Sequence, residues 1–478
     1  ALGVCVLLRT VAYGLHDHGF VTLHERRLEH LGETAPRLRG VRQARQRIHR
    51  VHAAHVVLAT GTHERPLVYA NNDLPGNLLA AAVSTYINRY AVAPGQNLVL
   101  SLSNDHAYTT AIDWHRAGKR VVAIADARPD GGGALAEQAA GLGIRIVTGA
   151  AVVEAVGRSG VKAARIAPID PGRGQVTGAV ETIDCDLIAS SGGYSPVVHL
   201  SAHLGARPVW DEAAIGFLPA RVEGLTAAGG AMGVQSLARV LADGWRVGCE
   251  AARSTGHDKP DLPPPALPAV EDPAERPALA LFHVPHPRPT AQAPKQFVDL
   301  QNDVTAAGIE LAVREGFEAI EHVKRYTAMG FGTDQGKLGN INGLAIVARC
   351  LGRNMQDTGT TMFRPNYTPV SFGAIVGRHC NDLFDPVRRT ALHDWHVDAG
   401  AVFEDVGQWK RPWYYPRGSE TLGDAVRREC LAVREGVGLL DASTLGKIEV
   451  QGPDARRFLS RVYTNAWAKL AAGRCRYG

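Results

Sequence analysis

The sequence lacks most of the features that would assign a class at a glance. Its seven cysteines (Cys5, Cys185, Cys249, Cys350, Cys380, Cys430 and Cys475) are scattered, odd in number and nowhere in C-x-x-C spacing. That argues against zinc, an iron–sulfur cluster or a disulfide framework, and it fits a reducing cytoplasm. No apolar run reaches the roughly 18–20 residues that span a bilayer, so no membrane segment is expected. A net charge of +5 over 478 residues is small, and no dense basic–aromatic stripe occurs. Nucleic acid is therefore not an expected partner, although local basic pockets for anions are allowed. With 45% hydrophobic and 21% charged residues, the chain has an ordinary soluble composition and enough length for roughly three domains. The first residues, ALGVCVLLRT, carry no basic leader or initiator Met, and AAGRCRYG stops abruptly. A piece open at both ends is the expectation.

Two apolar runs near the start read as strands, Gly3–Thr10 and Val51–Thr60. The second ends in Ala59-Thr60-Gly61, followed by Arg65-Pro66. Small residues at a strand end let the chain pass close to a bound dinucleotide; an ordinary Gly-terminated strand is the alternative. Thr60, Gly61 and Arg65 become candidates for cofactor contact. Gln96–Arg128 has the pattern of a βαβ unit: strand Asn97–Leu102, a helix to about Ala117, then strand Val121–Ala125. An acid stands where a ribose partner belongs, Asp126. The glycines of a G-x-G-x-x-G turn are absent, replaced by Ser103-Asn-Asp-His-Ala-Tyr108, whose side chains obstruct a pyrophosphate. Gly143–Val153 continues the sheet, and Cys185–Gly193 supplies a second small-residue strand end with Gly192 as a candidate. Leu225–Gly233 lacks a carboxylate after its glycines, and Ser236–Ala251 reads as the closing helix. These segments outline a first dinucleotide-binding domain (1–94 and 191–257) interrupted by a second (95–190), then a Pro-rich linker (258–296) that proline keeps extended.

A helical unit (297–380) follows. Asp303 or Thr305 can cap its first helix, and a second runs from about Gly316 to Tyr326 with Phe317, Ile320 and Val323 on one face. Lys324 and Arg325 fall in the last turn, where cations suit the helix dipole. In Gly330-Phe-Gly332-Thr-Asp-Gln-Gly336-Lys337, glycines would let the backbone approach an anion while Thr333, Gln335 and Lys337 donate. A phosphate-bearing cofactor is the preferred reading. Beyond Asp385-Pro-Val-Arg-Arg389 a new unit (386–478) begins. His393 and His396 have no third ligand nearby and read as structural; Trp409, Trp413, Tyr414 and Tyr415 could stack on a pterin or pack a core.

The strings VDLQNDVTAAGIELAVREGFEAIEHVKRYT, FGTDQGK and GTTMFRPNYTPVSFGAIVGR closely resemble the α subunits of heterotetrameric sarcosine oxidases. EGVGLLDASTLGKIEVQGPDA resembles the start of an aminomethyltransferase (glycine-cleavage T-protein) domain. The resemblance implies an α/β fold: two dinucleotide-binding, FAD/NAD(P)-type Rossmann-like domains, a small helical unit, and the start of an α+β folate-binding domain. It implies FMN near Lys324, Arg325, Thr327, Thr333, Gln335 and Lys337, bound NAD, and tetrahydrofolate in the C-terminal domain, with Tyr477 on the pterin side. FAD is expected on a partner β subunit, beside γ and δ subunits. The implied reaction is oxidative demethylation of sarcosine. A related opine or N-methyl amino acid dehydrogenase, or a non-catalytic scaffold subunit, are the alternatives.

Overall fold

The computed structural model describes residues 3–34, 44–257, 266–270, 272–377 and 385–477; the linker prolines at 263–265 and Cys380 lie outside the described residues. The chain forms two compact units, Ala1–Ala374 and Ile375–Gly478.

At the centre of the first unit is a parallel sheet. Strands Asn77–Leu79, Leu187–Ser191, Asn97–Leu102, Arg120–Asp126 and Ile146–Thr148 lie side by side in that order. Side chains alternate across a strand, and here the two sets go to different cores. Leu98, Leu100 and Leu102 pack with Tyr108, Ile112 and Trp114 of the helix Tyr108–Arg116. Val99, Ala123 and Ile188 pack instead against an antiparallel sheet built on Ala150–Gly157, Val161–Asp170 and Glu181–Asp184. With both faces covered, the strands read as nearly unbroken apolar runs, which is why the βαβ unit at 96–128 was visible in sequence.

The N-terminal part is less regular. Thr10–His16, Phe20–Arg26 and Gln46–His52 form an antiparallel sheet. The short strand Val56–Leu58 pairs in parallel with Leu225–Ala227, followed by the helix Leu237–Ser254. Two expectations are corrected here. Gly3–Thr10 is not a buried strand: Val4, Val6 and Leu8 are exposed, no strand pairs with residues 3–8 among the described residues, and the strand starts at Thr10. Val51–Thr60 is not one strand, because the chain turns at Ala53–His55 between two separate pairings. Likewise Gly143–Val153 divides, with Ile146–Thr148 in the parallel sheet and Ala150 onward in the antiparallel one.

The helical part packs Ala306–Arg314, Ile320–Thr327 and Asn340–Leu351 around Ile309, Val323, Met329 and Leu344. Thr305 is the cap, its hydroxyl accepting the Gly308 N–H at 3.1 Å. The second helix starts at Ile320, four residues later than the periodicity suggested, since Gly316 takes a left-handed φ of +96°.

The second unit contains a hairpin, Val402–Val406 with Trp409–Tyr414, and Arg388–Arg389 in parallel beside the latter strand. Its longest helix, Leu422–Glu435, opens with a reciprocal cap between Thr421 and Asp424, satisfying two otherwise unpaired N–H groups. Among the described residues no helix is long and apolar enough to cross a membrane.

Candidate functional site

In the first unit a cavity of about 400 Å³ opens beside the Gly330–Lys337 loop. One wall comes from Pro66, Leu67, Tyr69 and the strand end Leu78–Leu79 with Ser190; the other comes from Phe297–Gln301, Asp334, Leu338 and Gly339. The strand Phe297–Asp299 reaches this position because Asn72 clamps it: the Asn72 amide donates to Phe297 O and accepts from Phe297 N, both at 2.8 Å. Apolar walls with a few amides (Asn72, Asn77, Gln301) suit a flat organic ring system. The floor is acidic. Asp299 accepts from the backbone N–H groups of Gln301, Asn302 and Gly330. The Asp334 carboxyl is pushed above its ordinary value by burial and by Asp299.

The glycine loop is built differently from an anion cradle. A Cβ on Gly336 would lie 2.1 Å from the Asn340 side chain, and one on Gly330 2.6 Å from Asn340 Oδ1. A Cβ on Gly332 would crowd Gln301. The glycines thus make room for side chains of this protein, correcting the anion-approach reading. Three of the expected donors are engaged within the chain. The Thr333 hydroxyl accepts from Gln301 Nε2 at 2.8 Å, Gln335 donates to Gly332 O at 2.6 Å, and the Thr327 hydroxyl donates to Val323 O at 2.8 Å. Arg325 is held by the Glu321 carboxylate and carbonyl, both at 2.7 Å. Lys337 donates to Tyr367 O at 2.8 Å and Asp334 O at 3.0 Å, with Thr333 O at 3.4 Å, and sits 3.9 Å from the Tyr367 ring centroid. Lys324 alone of the six makes no hydrogen bond among the described residues. Its ammonium lies over Phe331, 5.6 Å from the centroid. Burial, with Arg325 and Arg364 nearby, holds its pKa below the ordinary lysine value against the pull of Glu321.

Lys337→Met, which keeps the stem and removes the charge, is expected to loosen this loop by about 2 kcal/mol, since hydrogen bonds to charged groups contribute roughly 1.5–3 kcal/mol. Hydrogen exchange across 330–340 reads this directly. Protection equal to the wild type would mean that the ammonium does not hold the loop.

At the carboxyl ends of the parallel strands, where nucleotides bind in such sheets, the crevice is filled from within. Asp126 is fully buried, and both its oxygens are engaged: Oδ1 by Arg128 N and Nε (3.0 and 2.9 Å), Oδ2 by Arg128 Nη2 and Tyr108 Oη (both 2.8 Å). Asp105 closes on Arg128 at 2.7 Å and accepts from Gly133 N and Arg276 N at 3.0 and 2.7 Å. The extended segment 274–279 lies across the opening, with Ala134 N donating to Ala274 O and Leu279 N to Ser103 O. The ribose reading of Asp126 is corrected on this ground: its carboxylate is committed to Arg128 and Tyr108.

Arg65 and Gly192 also face inward. The Arg65 guanidinium, 2% exposed, donates to Gly192 O at 2.6 Å, Ile215 O at 3.1 Å and Ser195 Oγ at 3.1 Å. It stitches strand ends together with four of its five N–H groups. Thr60 and Gly61 differ. Thr60 donates to Val197 O at 2.9 Å, but a Cβ on Gly61 would meet nothing within 4 Å. That strand end is open, so a dinucleotide could approach its backbone.

In the second unit, His396 is buried between Tyr415 Oη (2.6 Å) and Asp441 Oδ2 (2.9 Å), a structural place for this histidine. Tyr415 is thereby committed to the core, while Trp413 is exposed. Tyr477 is fully exposed, with only its carbonyl engaged, by Asn465 at 3.2 Å. The Asp441 carboxyl is held well below the ordinary range by Ser443, and further by His396 and Thr390. A depressed carboxyl stabilises the fold above its unfolded pKa, about 3.9, and the contribution fades as pH falls below that. Asp441→Asn is therefore expected to cost about 1.5–3 kcal/mol at neutral pH and to flatten the loss of stability in acid. A melting curve at pH 7 matching the wild type would rule this out.

Sequence reasoning missed Asp299 and Asn340, and it took Asp105 only as one of the side chains that obstruct a pyrophosphate, not as a partner of Arg128. Only Asp126-Ala-Arg128 carried a readable signal, an acid and a base spaced to pair locally.

Comparison with known proteins bears on the same regions. Residues 293–378 match the sarcosine oxidase A3 domain, and 392–478 match the GCVT N-terminal domain. The sarcosine oxidase subunit α of Corynebacterium sp. (strain P-1) is 42% identical over 474 residues, covering 99% of this chain and 48% of that protein. That of Rhizobium meliloti (strain 1021) is 42% identical over 480 residues, covering 99% and 46%. The chain is a relative of the sarcosine oxidase α subunits. It spans about half the length of those curated relatives. The crystal structure of L-proline dehydrogenase from P. horikoshii superposes with a TM-score of 0.52 at 18% identity, covering 77% of this chain and 64% of that one. At that identity it supports the fold alone: mixed α/β of the dinucleotide-binding type.

Proposed function

We propose that this chain is part of the α subunit of a sarcosine oxidase. The overall reaction would convert sarcosine, O2 and tetrahydrofolate to glycine, 5,10-methylenetetrahydrofolate and H2O2. The observation that carries the reading is the side-by-side match of 293–378 to a sarcosine oxidase domain and 392–478 to a GCVT domain, within 42% identity along the whole chain. The subunit would work in the cytoplasm with a β subunit carrying FAD and with γ and δ subunits.

FMN fits the first unit in part. The cavity between Tyr69, Leu78, Phe297 and Leu338 would take a ring, while the acidic floor of Asp299 and Asp334 does not suit a phosphate. When bound there, the flavin supplies electron transfer between the amine-oxidising centre and oxygen. This chain's own part is to bury the ring's apolar edge, since the Asn72, Asn77 and Gln301 amides are engaged within the chain. NAD fits best at the open Thr60–Gly61 strand end rather than in the filled crevice around Asp126. Tetrahydrofolate belongs with the C-terminal unit, where Tyr477 is accessible.

The test is oxygen uptake with sarcosine, with and without tetrahydrofolate, on the chain co-purified with its partner subunits, followed by identification of the released cofactors. Peroxide with folate-dependent loss of free formaldehyde, and FMN and NAD in the extract, is the expected result. Activity on another secondary amine without a folate effect would overturn it in favour of a related dehydrogenase. No flavin or NAD at all would point to a scaffold.

A further inference from the structure

Residues 272–279 cross the opening of the strand-end crevice, and their hold on it is polar almost throughout. At one end the Asp272 carboxylate accepts from Ser236 Oγ at 2.5 Å and from Leu237 N and Ala238 N, both at 3.0 Å, the first amides of the helix Leu237–Ser254. In the middle Ala274 O accepts from Ala134 N at 3.0 Å, and Arg276 N donates to Asp105 Oδ2 at 2.7 Å. At the other end Leu279 N donates to Ser103 O at 2.8 Å. Every residue from Asp272 to Ala278 is exposed. The first apolar anchors are Leu279, packed against the core, and Leu281, buried within it.

The segment is nevertheless fitted to its seat. A Cβ on Gly133 would lie 2.3 Å from Ala274 O, so the close approach there depends on glycine. Pro273 and Pro277 fix two of its φ angles, which leaves bending to the ends. One end is marked by a tight turn, where Leu281 N donates to Leu279 O at 2.9 Å. Asp272, Pro273 and Glu275 also wall a cavity of about 500 Å³ that Gly233, Ser236 and Arg239 help to line. The Arg276 and Pro277 carbonyls lie over Arg128, each 3.5 Å from its Nη1. Lifting the segment therefore takes away one wall of the cavity and the cover over Arg128. Stretches with few buried apolar contacts and exposed hydrogen bonds open locally, well short of global unfolding.

We propose that residues 272–279 are a strap that lifts off the crevice as one piece, hinged at Leu279–Leu281, while the sheet beneath stays folded. The strap governs access of small solutes to Arg128. It stands apart from the ring-binding cavity and does not depend on the sarcosine oxidase reading.

Hydrogen exchange of the whole chain, read amide by amide, tests it. In the wild type the amides of Ala134, Leu237, Ala238 and Arg276 are expected to exchange together, at least a hundredfold faster than those of the strand Asn97–Leu102. Two variants act from different places: Asp272→Ala removes one clasp, and Gly133→Ala puts a methyl group under Ala274. Each is expected to speed the whole set at least tenfold and to leave Asn97–Leu102 unchanged. The amides that decide are those a variant does not touch, Ala134 and Arg276 for the first and Leu237 and Ala238 for the second. Acceleration confined to the altered contact would show independent contacts rather than a strap. Wild-type exchange as slow as that of the sheet would show that the segment lifts only on global unfolding, and equal acceleration of Asn97–Leu102 would show a loss of overall stability. Any of these three results overturns the proposal.

Discussion

Arg128→Leu is expected to destabilise the first unit by about 3–5 kcal/mol, the cost of breaking a buried ion pair from one side. Arg128 stands between Asp105 (2.7 Å) and Asp126 (2.8 Å), with side-chain exposures of 6%, 1% and 0% for the three residues. Removing the guanidinium leaves two buried carboxylates facing each other. Its Nη1 also reaches toward the carbonyls of Arg276 and Pro277, so the segment that covers the crevice should loosen as well. Urea denaturation of the whole chain, followed by a probe in the 97–126 sheet, measures the loss. The triple change Arg128→Leu, Asp105→Asn, Asp126→Asn should recover much of it, since neutral replacements remove the uncompensated charges. A single variant within about 1 kcal/mol of wild type would mean that the triad is not what holds the crevice shut.

That triad also explains where reading the sequence succeeded and where it stopped. The strands Asn97–Leu102 and Arg120–Asp126 were legible because both faces are buried and apolar runs mark them. The replacement of glycines at 103–108 was legible too, since side chains there obstruct a pyrophosphate. What fills the space was not, because Ala274–Leu279 arrives from about 150 residues away and no local pattern encodes that contact. The Gly330–Lys337 loop shows the same limit from the other side. Its glycines and cations looked like an anion cradle, a local inference. Their partners, Asn340, Gln301 and Tyr367, are set by packing, and they turn the same residues into a self-bonded loop. Gly3–Thr10 failed for a related reason: an apolar run becomes a buried strand only where another strand pairs with it. The recognisable strings around 297–378 pointed to the proteins this chain is similar to, yet five of the six proposed contacts in them are hydrogen-bonded within the chain, with Lys324 the exception.

Glu64→Gln should remove most of a pH dependence that the wild-type chain carries near neutrality. Glu64 is 8% exposed and accepts the Ala81 N–H at 2.8 Å, in the first turn of the helix Ala80–Tyr90. That contact and the Ser191 hydroxyl favour the ionised form, but burial outweighs both and raises the pKa to about 7. The folded chain therefore keeps a proton that the unfolded chain, with an ordinary glutamate near pH 4.3, has already released. Stability is fully present below that lower value and declines as pH rises toward 7, levelling above it. A displacement of this size corresponds to about 3 kcal/mol, as an order of magnitude. Glutamine keeps an acceptor for Ala81 and carries no charge, so the variant should gain on the wild type at pH 8 and differ little at pH 4. Urea midpoints at the two pH values separate the outcomes: parallel shifts in both proteins would mean that Glu64 ionises freely when folded. If the gain at pH 8 is found, a carboxyl that exchanges its proton around neutrality lies three residues beyond the open Gly61 strand end.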